Sequence, residues 1–306
     1  MRTLLERLGA GEVLVGDGAW GTLLMTRGLR PGEAPEALNL SHPETLEEIA
    51  RLYLEAGADL VTTNSFGGSP ARLRRYGLEA RTEEINRAAV EAVRRAVDGR
   101  ALVSASVGPS GHVLAPYGDG DPVEIGAGFE RQVRALAAAG ADLVCVETMI
   151  DLAEAVLAVR AARTVAPALP VMATMTFERT RRGFYTVMGT SVEQAARGLE
   201  EAGADVVGSN CGNGSEAMVE IAHELRAHTA RPIAIQPNAG LPEPRGGETV
   251  YPETPEFMAE QAKALVREGV AIVGGCCGTT PAHVRALREA LGRGPNAVSS
   301  GGAPRR

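Results

Sequence analysis

The chain has 306 residues, of which 44% are hydrophobic and 23% charged, as is typical of a soluble globular protein. Its net charge of −7 gives no indication of binding to nucleic acid or to an acidic membrane surface. No apolar run approaches the roughly 20 residues that span a bilayer, and the N-terminus lacks a signal-peptide core. We therefore expect a cytoplasmic protein.

A strand, a turn and a helix repeat along the chain. Strands are predicted at 13–17, 60–64, 102–107, 143–147, 171–176, 206–211, 233–237 and 271–275. Helices are predicted at 45–55, 83–97, 126–139, 152–165, 192–202, 215–227, 255–268 and 281–291. Eight such units predict an α/β protein with the (β/α)8 TIM barrel fold over residues 1–292. The Gly-, Pro-, Ser- and Arg-rich residues 293–306 are expected to form a disordered tail or linker.

A doubly wound parallel sheet is the alternative architecture, but the Gly-x-Gly-x-x-Gly turn usual after its first strand is absent. Three predicted helices end in Gly-Ala-Asp, at 57–59, 140–142 and 203–205, where the glycine suits a helix C-cap. Long connections follow the first, third, fifth and seventh strands. In a barrel these connections surround the active face.

Polar residues, glycines and cysteines recur where the predicted strands end, and core packing explains this pattern poorly. They are Asp17, Asn64, Ser106, Gly108, Glu147, Thr148, Cys211, Asn238, Cys276 and Cys277. Taken singly, Asp17 also fits a loop cap, and Asn64 fits a turn residue. Cys145 shares a strand face with Glu147 two residues later. We expect it to lie deeper in the barrel as an inert buried thiol.

Three of the four cysteines fit a metal site. Cys276 and Cys277 follow the last strand in Gly-Gly-Cys-Cys-Gly-Thr-Thr, and Cys211 follows the sixth strand in Asn-Cys-Gly-Asn-Gly. Adjacent side chains on a strand point to opposite faces, so the pair needs a backbone bend, which the neighbouring glycines permit. Three protein ligands and one open position are the catalytic zinc arrangement. Taken singly, each cysteine also fits a buried free thiol.

A zinc ion with three thiolate ligands suits a particular chemistry. Such an electron-rich centre is a poor source of hydroxide, but it suits a fourth sulfur ligand. A free thiol has a pKa near 8.5 and is mostly protonated at neutral pH, whereas metal coordination removes the proton. The cysteine pattern therefore indicates thiol activation for alkyl transfer.

The chain resembles the homocysteine S-methyltransferase family, whose members are zinc-dependent (β/α)8 barrels. The resemblance covers about residues 5–292. It is carried by Asp-Gly-Ala with Gly-Thr at 17–22, Thr-Asn-Ser-Phe at 63–66, Glu-Thr at 147–148, Asn-Cys at 210–211 and the double-cysteine motif at 274–280. Pro-Asn-Ala-Gly at 237–240 and Thr-Val-Tyr-Pro at 249–252 are most similar to the homocysteine-binding module of the cobalamin-dependent methionine synthase branch.

The resemblance implies roles for the residues at the strand ends. Cys211, Cys276 and Cys277 would be the catalytic Zn²⁺ ligands, with the sulfur of L-homocysteine in the fourth position. Glu147 would hold the substrate ammonium, and Asp17 would help to position the amino acid. Backbone amides near Ser106 and Gly108 would receive its carboxylate, and Asn64 and Thr148 would complete the substrate site. We further hypothesise that the amide oxygen of Asn238 is the fourth zinc ligand when substrate is absent.

The resemblance also implies a methyl donor. This would be methylcobalamin, charged from methyltetrahydrofolate on other domains or partner proteins. The alternative is a self-sufficient enzyme that uses S-methylmethionine, S-adenosylmethionine or betaine. A betaine site would need aromatic residues, for which Trp20 and Tyr117 are the candidates. A non-catalytic barrel with structural zinc would need a fourth protein ligand, and no further cysteine or histidine is suitably placed.

Overall fold

Residues 2–246 and 248–292 are described by the computed structural model. The predicted tail at 293–306 lies outside the described residues. Within them, eight parallel strands form a ring that is surrounded by helices, so the predicted (β/α)8 barrel is confirmed.

Strands β1 to β8 span Leu14–Val15, Leu60–Thr62, Leu102–Val107, Leu143–Met149, Val171–Met175, Val206–Asn210, Ile233–Gln236 and Val270–Val273. Consecutive strands pair in parallel from β2 to β8, and β8 pairs with β1 through Leu14 opposite Ile272. A bridge between Gly16 and Leu60 joins β1 to β2 and closes the ring. Valine, leucine and isoleucine dominate these buried strands because helices cover the outer face.

Helices α1 to α12 span Leu4–Gly9, Trp20–Thr26, Leu38–Ser41, Pro43–Ala56, Pro70–Leu73, Thr82–Val97, Pro122–Ala138, Leu152–Val165, Val192–Ala202, Ser215–His228, Pro255–Arg267 and Pro281–Leu291. All eight predicted helices are present. Helix α7 begins four residues earlier than predicted, because Asp121 caps it through the Val123 amide and Pro122 fits its first turn. None of the described helices is both long and apolar enough to cross a membrane.

The three Gly-Ala-Asp segments stabilise the amino-terminal end of the barrel through hydrogen bonds and ion pairs of their aspartates. Gly57 and Gly203 end their helices in the left-handed conformation, as predicted. Each aspartate then accepts a backbone hydrogen bond of 2.8–2.9 Å from the preceding strand: Asp59 from Val15, Asp142 from Val103 and Asp205 from Val171. Arginines from neighbouring helices pair with the same carboxylates. These contacts stabilise the amino-terminal end of the barrel, whereas active sites in this fold lie at the carboxyl-terminal end.

Loops and short elements build up the carboxyl end of the barrel. Helices α2 and α3 follow β1. A hairpin of Glu178–Thr180 and Gly183–Tyr185 follows β5, and a second hairpin of Glu243–Arg245 and Glu248–Val250 follows β7. The sequence predicted long connections here but not these hairpins. The second hairpin leads directly to Tyr251, whose ring lies against Gly278.

Candidate metal and substrate site

A cavity of about 520 Å³ opens at the carboxyl ends of the strands. Among the residues that line it are eight of the predicted site residues: Asp17, Asn64, Ser106, Glu147, Thr148, Cys211, Cys276 and Cys277. Trp20, Phe66, Gln236 and Tyr251 also line it. The structure therefore brings most of the predicted strand-end residues around one space.

Cys211, Cys276 and Cys277 converge, with their three sulfurs all within 4.8 Å of one another. The Sγ atoms of Cys211 and Cys277 are 3.8 Å apart. Two sulfurs bound to one tetrahedral zinc ion at about 2.3 Å would lie about 3.8 Å apart, so this spacing fits zinc.

Strand β7 lies between the cysteine-bearing strands, and its last residue together with the residues just after it holds the backbone of all three cysteines in place. The amide of Cys211 donates to the Gln236 carbonyl at 3.1 Å, and the amide of Cys276 donates to the Pro237 carbonyl at 2.7 Å. The carbonyl of Cys277 accepts from the Ala239 amide at 2.9 Å. Cys211 itself has a φ of +60°, which is uncommon for a residue other than glycine, and Gly278, directly after the Cys276–Cys277 pair, has a φ of +79°.

The charges of the thiols favour a bound cation. Hydrogen bonds with Cys211 and Cys276 lower the pKa of Cys277 to about 3. Hydrogen bonds with the other two cysteines, together with burial, raise the pKa of Cys276 well above its ordinary value. One thiolate is therefore favoured at the expense of a second. Three thiolates so close together repel one another, and a cation among them would favour all three ionised forms, which suits zinc.

Asn238 follows strand β7 and is buried. Its backbone amide donates to the Asn213 carbonyl at 2.9 Å, and its Oδ1 receives no hydrogen bond from the described residues. A buried amide oxygen without a donor is costly unless a ligand satisfies it. Its role as a zinc ligand stays a prediction.

Two carboxylates, Asp17 and Glu147, face the cavity. Asp17 accepts hydrogen bonds from Trp20 Nε1 at 2.8 Å and from the amide and hydroxyl of Thr62 at 2.7 and 2.9 Å. Glu147 accepts one from the Ser106 hydroxyl at 2.5 Å. Burial raises the pKa of Asp17 to about 6. Burial also raises the pKa of Glu147 to about 7, and the Asp17 charge adds to that shift. A cationic ligand between them would favour both ionised forms.

Asn210 connects the carboxylate and cysteine parts of the site. Its Oδ1 accepts from the Thr148 amide at 2.8 Å and from the Thr174 hydroxyl at 2.8 Å. Its Nδ2 donates to the Thr148 hydroxyl at 2.8 Å and lies 3.4 Å from Glu147 Oε2. Asn210 belongs to the Asn-Cys motif, but it was not among the predicted site residues.

Three predicted substrate contacts have partners within the chain. The Asn64 side chain donates to the Pro35 carbonyl and to Asn39 Oδ1, both at 2.8 Å. The Ser106 amide donates to the Thr63 hydroxyl at 3.2 Å. The Gly108 amide donates to the Phe66 carbonyl at 2.9 Å, and Gly108 is not among the residues that line the cavity. Of these three residues, Ser106 is the one whose side chain donates a hydrogen bond to a carboxylate of the site, that of Glu147.

The aromatic residues divide between the cavity and the surface. Trp20 lines the cavity, whereas Tyr117 is 83% exposed and lies outside it. Tyr251, to which sequence reasoning assigned no contact, lines the cavity, and burial followed by the Cys277 charge raises its pKa to about 12. Cys145 is buried, and desolvation raises its pKa well above the ordinary value, which agrees with an inert thiol.

Known proteins resemble this chain in sequence and in structure. The sequence profile of the family described as "Homocysteine S-methyltransferase" matches residues 14–291. Methionine synthase of Mycobacterium tuberculosis (strain ATCC 25618 / H37Rv) is 35% identical over 297 residues, which cover 92% of this chain and 25% of that protein. Methionine synthase of Mycobacterium leprae (strain TN) is 36% identical over 309 residues, which cover 95% of this chain and 25% of that protein.

A solved structure shares the fold over nearly its whole length. The metallated form of the homocysteine methyltransferase MmuM from Escherichia coli superposes with a TM-score of 0.76 at 25% identity. The match covers 91% of this chain and 96% of MmuM. This chain therefore spans about a quarter of the length of the methionine synthases it matches, but nearly the full length of MmuM.

Proposed function

Because the chain belongs to the homocysteine S-methyltransferase family, we propose that it transfers a methyl group to the thiol of L-homocysteine and so forms methionine. The observation that carries this proposal is the meeting of three cysteine sulfurs and two carboxylates in one cavity. Three cysteine sulfurs can hold a metal ion that binds a thiol, and the two carboxylates can bind an α-ammonium group. An amino acid with a side-chain thiol offers both.

Cys211, Cys276 and Cys277 would hold Zn²⁺, and Asn238 Oδ1 is the proposed fourth ligand when homocysteine is absent. When bound, zinc supplies a Lewis-acidic centre that keeps a thiol deprotonated near neutral pH. The cysteines leave one coordination position for the substrate. An Asn238 Oδ1 farther than about 4 Å from zinc in a substrate-free crystal structure would rule out its role.

Glu147 and Asp17 would bind the substrate ammonium. Ser106 orients Glu147 by donating a hydrogen bond to its Oε1, and Thr148 and Asn64 line the same cavity. We retain Thr148 and Asn64 as proposed substrate contacts. Because the Gly108 amide already donates to Phe66, Gly108 is the least supported of the proposed carboxylate-binding groups.

Methylcobalamin on another domain or protein, charged there from methyltetrahydrofolate, is the proposed methyl donor. The methionine synthase relatives support this choice, since three quarters of their length lies outside the matched region. A cavity of about 520 Å³ accommodates an amino acid but not a corrinoid, so such a donor would approach from the mouth. A cytoplasmic location, where thiols stay reduced, belongs to the same proposal.

A stand-alone enzyme with a sulfonium donor is the second candidate. The observation that favours a stand-alone enzyme is the match over 96% of MmuM, a protein named as a homocysteine methyltransferase. Of the two residues expected for a betaine site, Tyr117 lies outside the cavity, whereas Trp20 lines it together with Phe66 and Tyr251, so betaine is kept in the donor test.

Zinc analysis combined with a donor panel tests the proposal. The purified chain receives homocysteine with methylcobalamin, S-methylmethionine, S-adenosylmethionine or betaine in turn, and methionine is measured. We expect about one zinc per chain and turnover on methylcobalamin alone. The Cys277→Ser variant should lose zinc and turnover together, whereas Cys145→Ser, the matched control, should keep both.

Other outcomes would change the assignment. Turnover on a sulfonium compound or on betaine would replace the proposed donor and identify a self-sufficient enzyme. Zinc with four protein ligands that stay in place when homocysteine is added would indicate a non-catalytic barrel. A protein that binds neither zinc nor homocysteine would overturn the proposed function.

A further inference from the structure

Gln236, the last residue of strand β7, has an unpaired side chain beside the proposed substrate site. We infer that Gln236 is a substrate-binding residue whose Oε1 accepts a hydrogen bond from the α-ammonium group of homocysteine. This inference rests on the proposed function, because it adds a contact within the same cavity.

The Gln236 side chain is 8% exposed and lines the cavity. Its Oε1 is buried and receives no hydrogen bond from any described residue. Among the described residues with such an orphaned buried atom, Gln236 is the one that lines the cavity. A buried acceptor without a donor destabilises the folded chain, and a ligand that supplies the donor removes this cost.

The Gln236 side chain packs against two glycines, Gly16 after β1 and Gly274 after β8. A Cβ at Gly274 would lie 3.2 Å from Gln236 Cγ, and a Cβ at Gly16 would lie 3.7 Å from Gln236 Nε2. The same Gly274 position is 3.2 Å from the backbone oxygen of Asp17. The Gln236 side chain and the Asp17 backbone therefore both pack against Gly274, and both residues line the cavity.

The hydrogen-bonding capacity of the carboxylates leaves a place for a third acceptor. A carboxylate has about four acceptor sites. Asp17 already accepts three hydrogen bonds, from Trp20 and Thr62, so one site remains. An ammonium group has three N–H donors, and Asp17, Glu147 and Gln236 together supply one acceptor each. The substrate carboxylate would be repelled by Asp17, so the ammonium is the end that faces Gln236.

A comparison of two ligands tests this contact without any methyl donor. Zinc-loaded wild type and Gln236→Met are titrated calorimetrically with homocysteine and with 4-mercaptobutyrate, which has the same thiol and carboxylate but no amino group. Methionine keeps the length of the side chain but cannot accept a comparable hydrogen bond. We expect homocysteine affinity to fall about tenfold to a hundredfold, and 4-mercaptobutyrate affinity to change less than about twofold.

Gln261→Met is the matched control. Gln261 lies on helix α11, is partly buried and is not among the residues that line the cavity. This variant should leave both affinities unchanged. If Gln236→Met does not fold, Gln236→Asn, which is shorter by one methylene, serves in the same comparison.

Unchanged homocysteine affinity in Gln236→Met, or an equal loss for both ligands, would overturn the inference while leaving the proposed function in place. Failure of zinc-loaded wild type to bind homocysteine would overturn the proposed function, and the inference with it. The wild-type titration therefore separates the two failures.

Discussion

Asn210 and Thr148 exchange two hydrogen bonds, each 2.8 Å long, between the ends of strands β6 and β4. Thr148 has a φ of +59°, an uncommon conformation for a β-branched residue, which these bonds hold in place. The Nδ2 of Asn210 also lies 3.8 Å from Cys276 Sγ and 3.4 Å from Glu147 Oε2. One amide therefore links the proposed ammonium site to the proposed metal site.

Asn210→Ala should weaken homocysteine binding about tenfold to a hundredfold while zinc content stays near that of wild type. Without the amide, Thr148 can relax from its strained conformation, worth roughly 1–3 kcal/mol, and Glu147 loses a neighbour. Calorimetric titration of the zinc-loaded protein measures this loss. Asn86→Ala is the control, since Asn86 is buried and hydrogen-bonded but lies away from the cavity. Equal affinity losses in both variants would contradict the positioning role.

Serine in place of Cys211, Cys276 or Cys277 should lower zinc affinity strongly at each position, because zinc favours thiolate over hydroxyl ligands. Competition with a chromogenic chelator measures the affinity. Cys145→Ser should bind zinc like wild type, since Cys145 is outside the cluster of three sulfurs. A single cysteine whose loss leaves zinc affinity unchanged would remove that residue from the ligand set.

Glu147→Gln should stabilise the substrate-free protein and abolish homocysteine binding. Burial raises the pKa of Glu147 from an ordinary value of 4.5 to about 7, so the folded chain binds this proton more strongly than the unfolded chain. The stability from this proton is fully present below about pH 4.5 and is lost as the pH rises through 7. Neutral glutamine avoids the cost of the buried charge. We expect a gain of roughly 1–3 kcal/mol at pH 8 and little gain at pH 4.5.

Urea unfolding of wild type and Glu147→Gln at both pH values measures this difference. Glu91→Gln, at an exposed position on helix α6, is the control and should change stability little at either pH. A loss of stability in Glu147→Gln at pH 8 would show that hydrogen bonds to the carboxylate outweigh its desolvation.

Gly278→Ala should lower both stability and zinc affinity. Gly278 has a φ of +79°, and an added Cβ would lie 2.1 Å from Tyr251 Cγ, so the ring beside the cysteines would have to move. We expect a cost of about 3 kcal/mol or more from backbone strain and overpacking together. Gly77→Ala is matched in backbone, with a φ of +68° and open space around the added Cβ, and should cost only about 1–2 kcal/mol. Thermal unfolding and zinc titration report the two effects, and equal effects in both variants would exclude a role for Tyr251 packing.

The sequence by itself determined the barrel and the cysteine set. Strands and helices follow from local patterns of apolar residues, and glycines such as Gly57 and Gly203 end helices through their own backbone freedom. In a barrel of parallel strands, residues at strand ends necessarily approach one another. The convergence of Cys211, Cys276 and Cys277 therefore needed no knowledge of individual side-chain contacts.

Only the tertiary structure decided which polar groups are already satisfied and which still need a partner. The Gly108 amide is already bonded to Phe66, Asn210 links two strands that are not neighbours, and the Gln236 oxygen has no donor among the described residues. Each fact depends on hydrogen bonds between residues far apart in sequence. A local pattern carries no information about such pairs, because the folded path of the strands and loops brings them together.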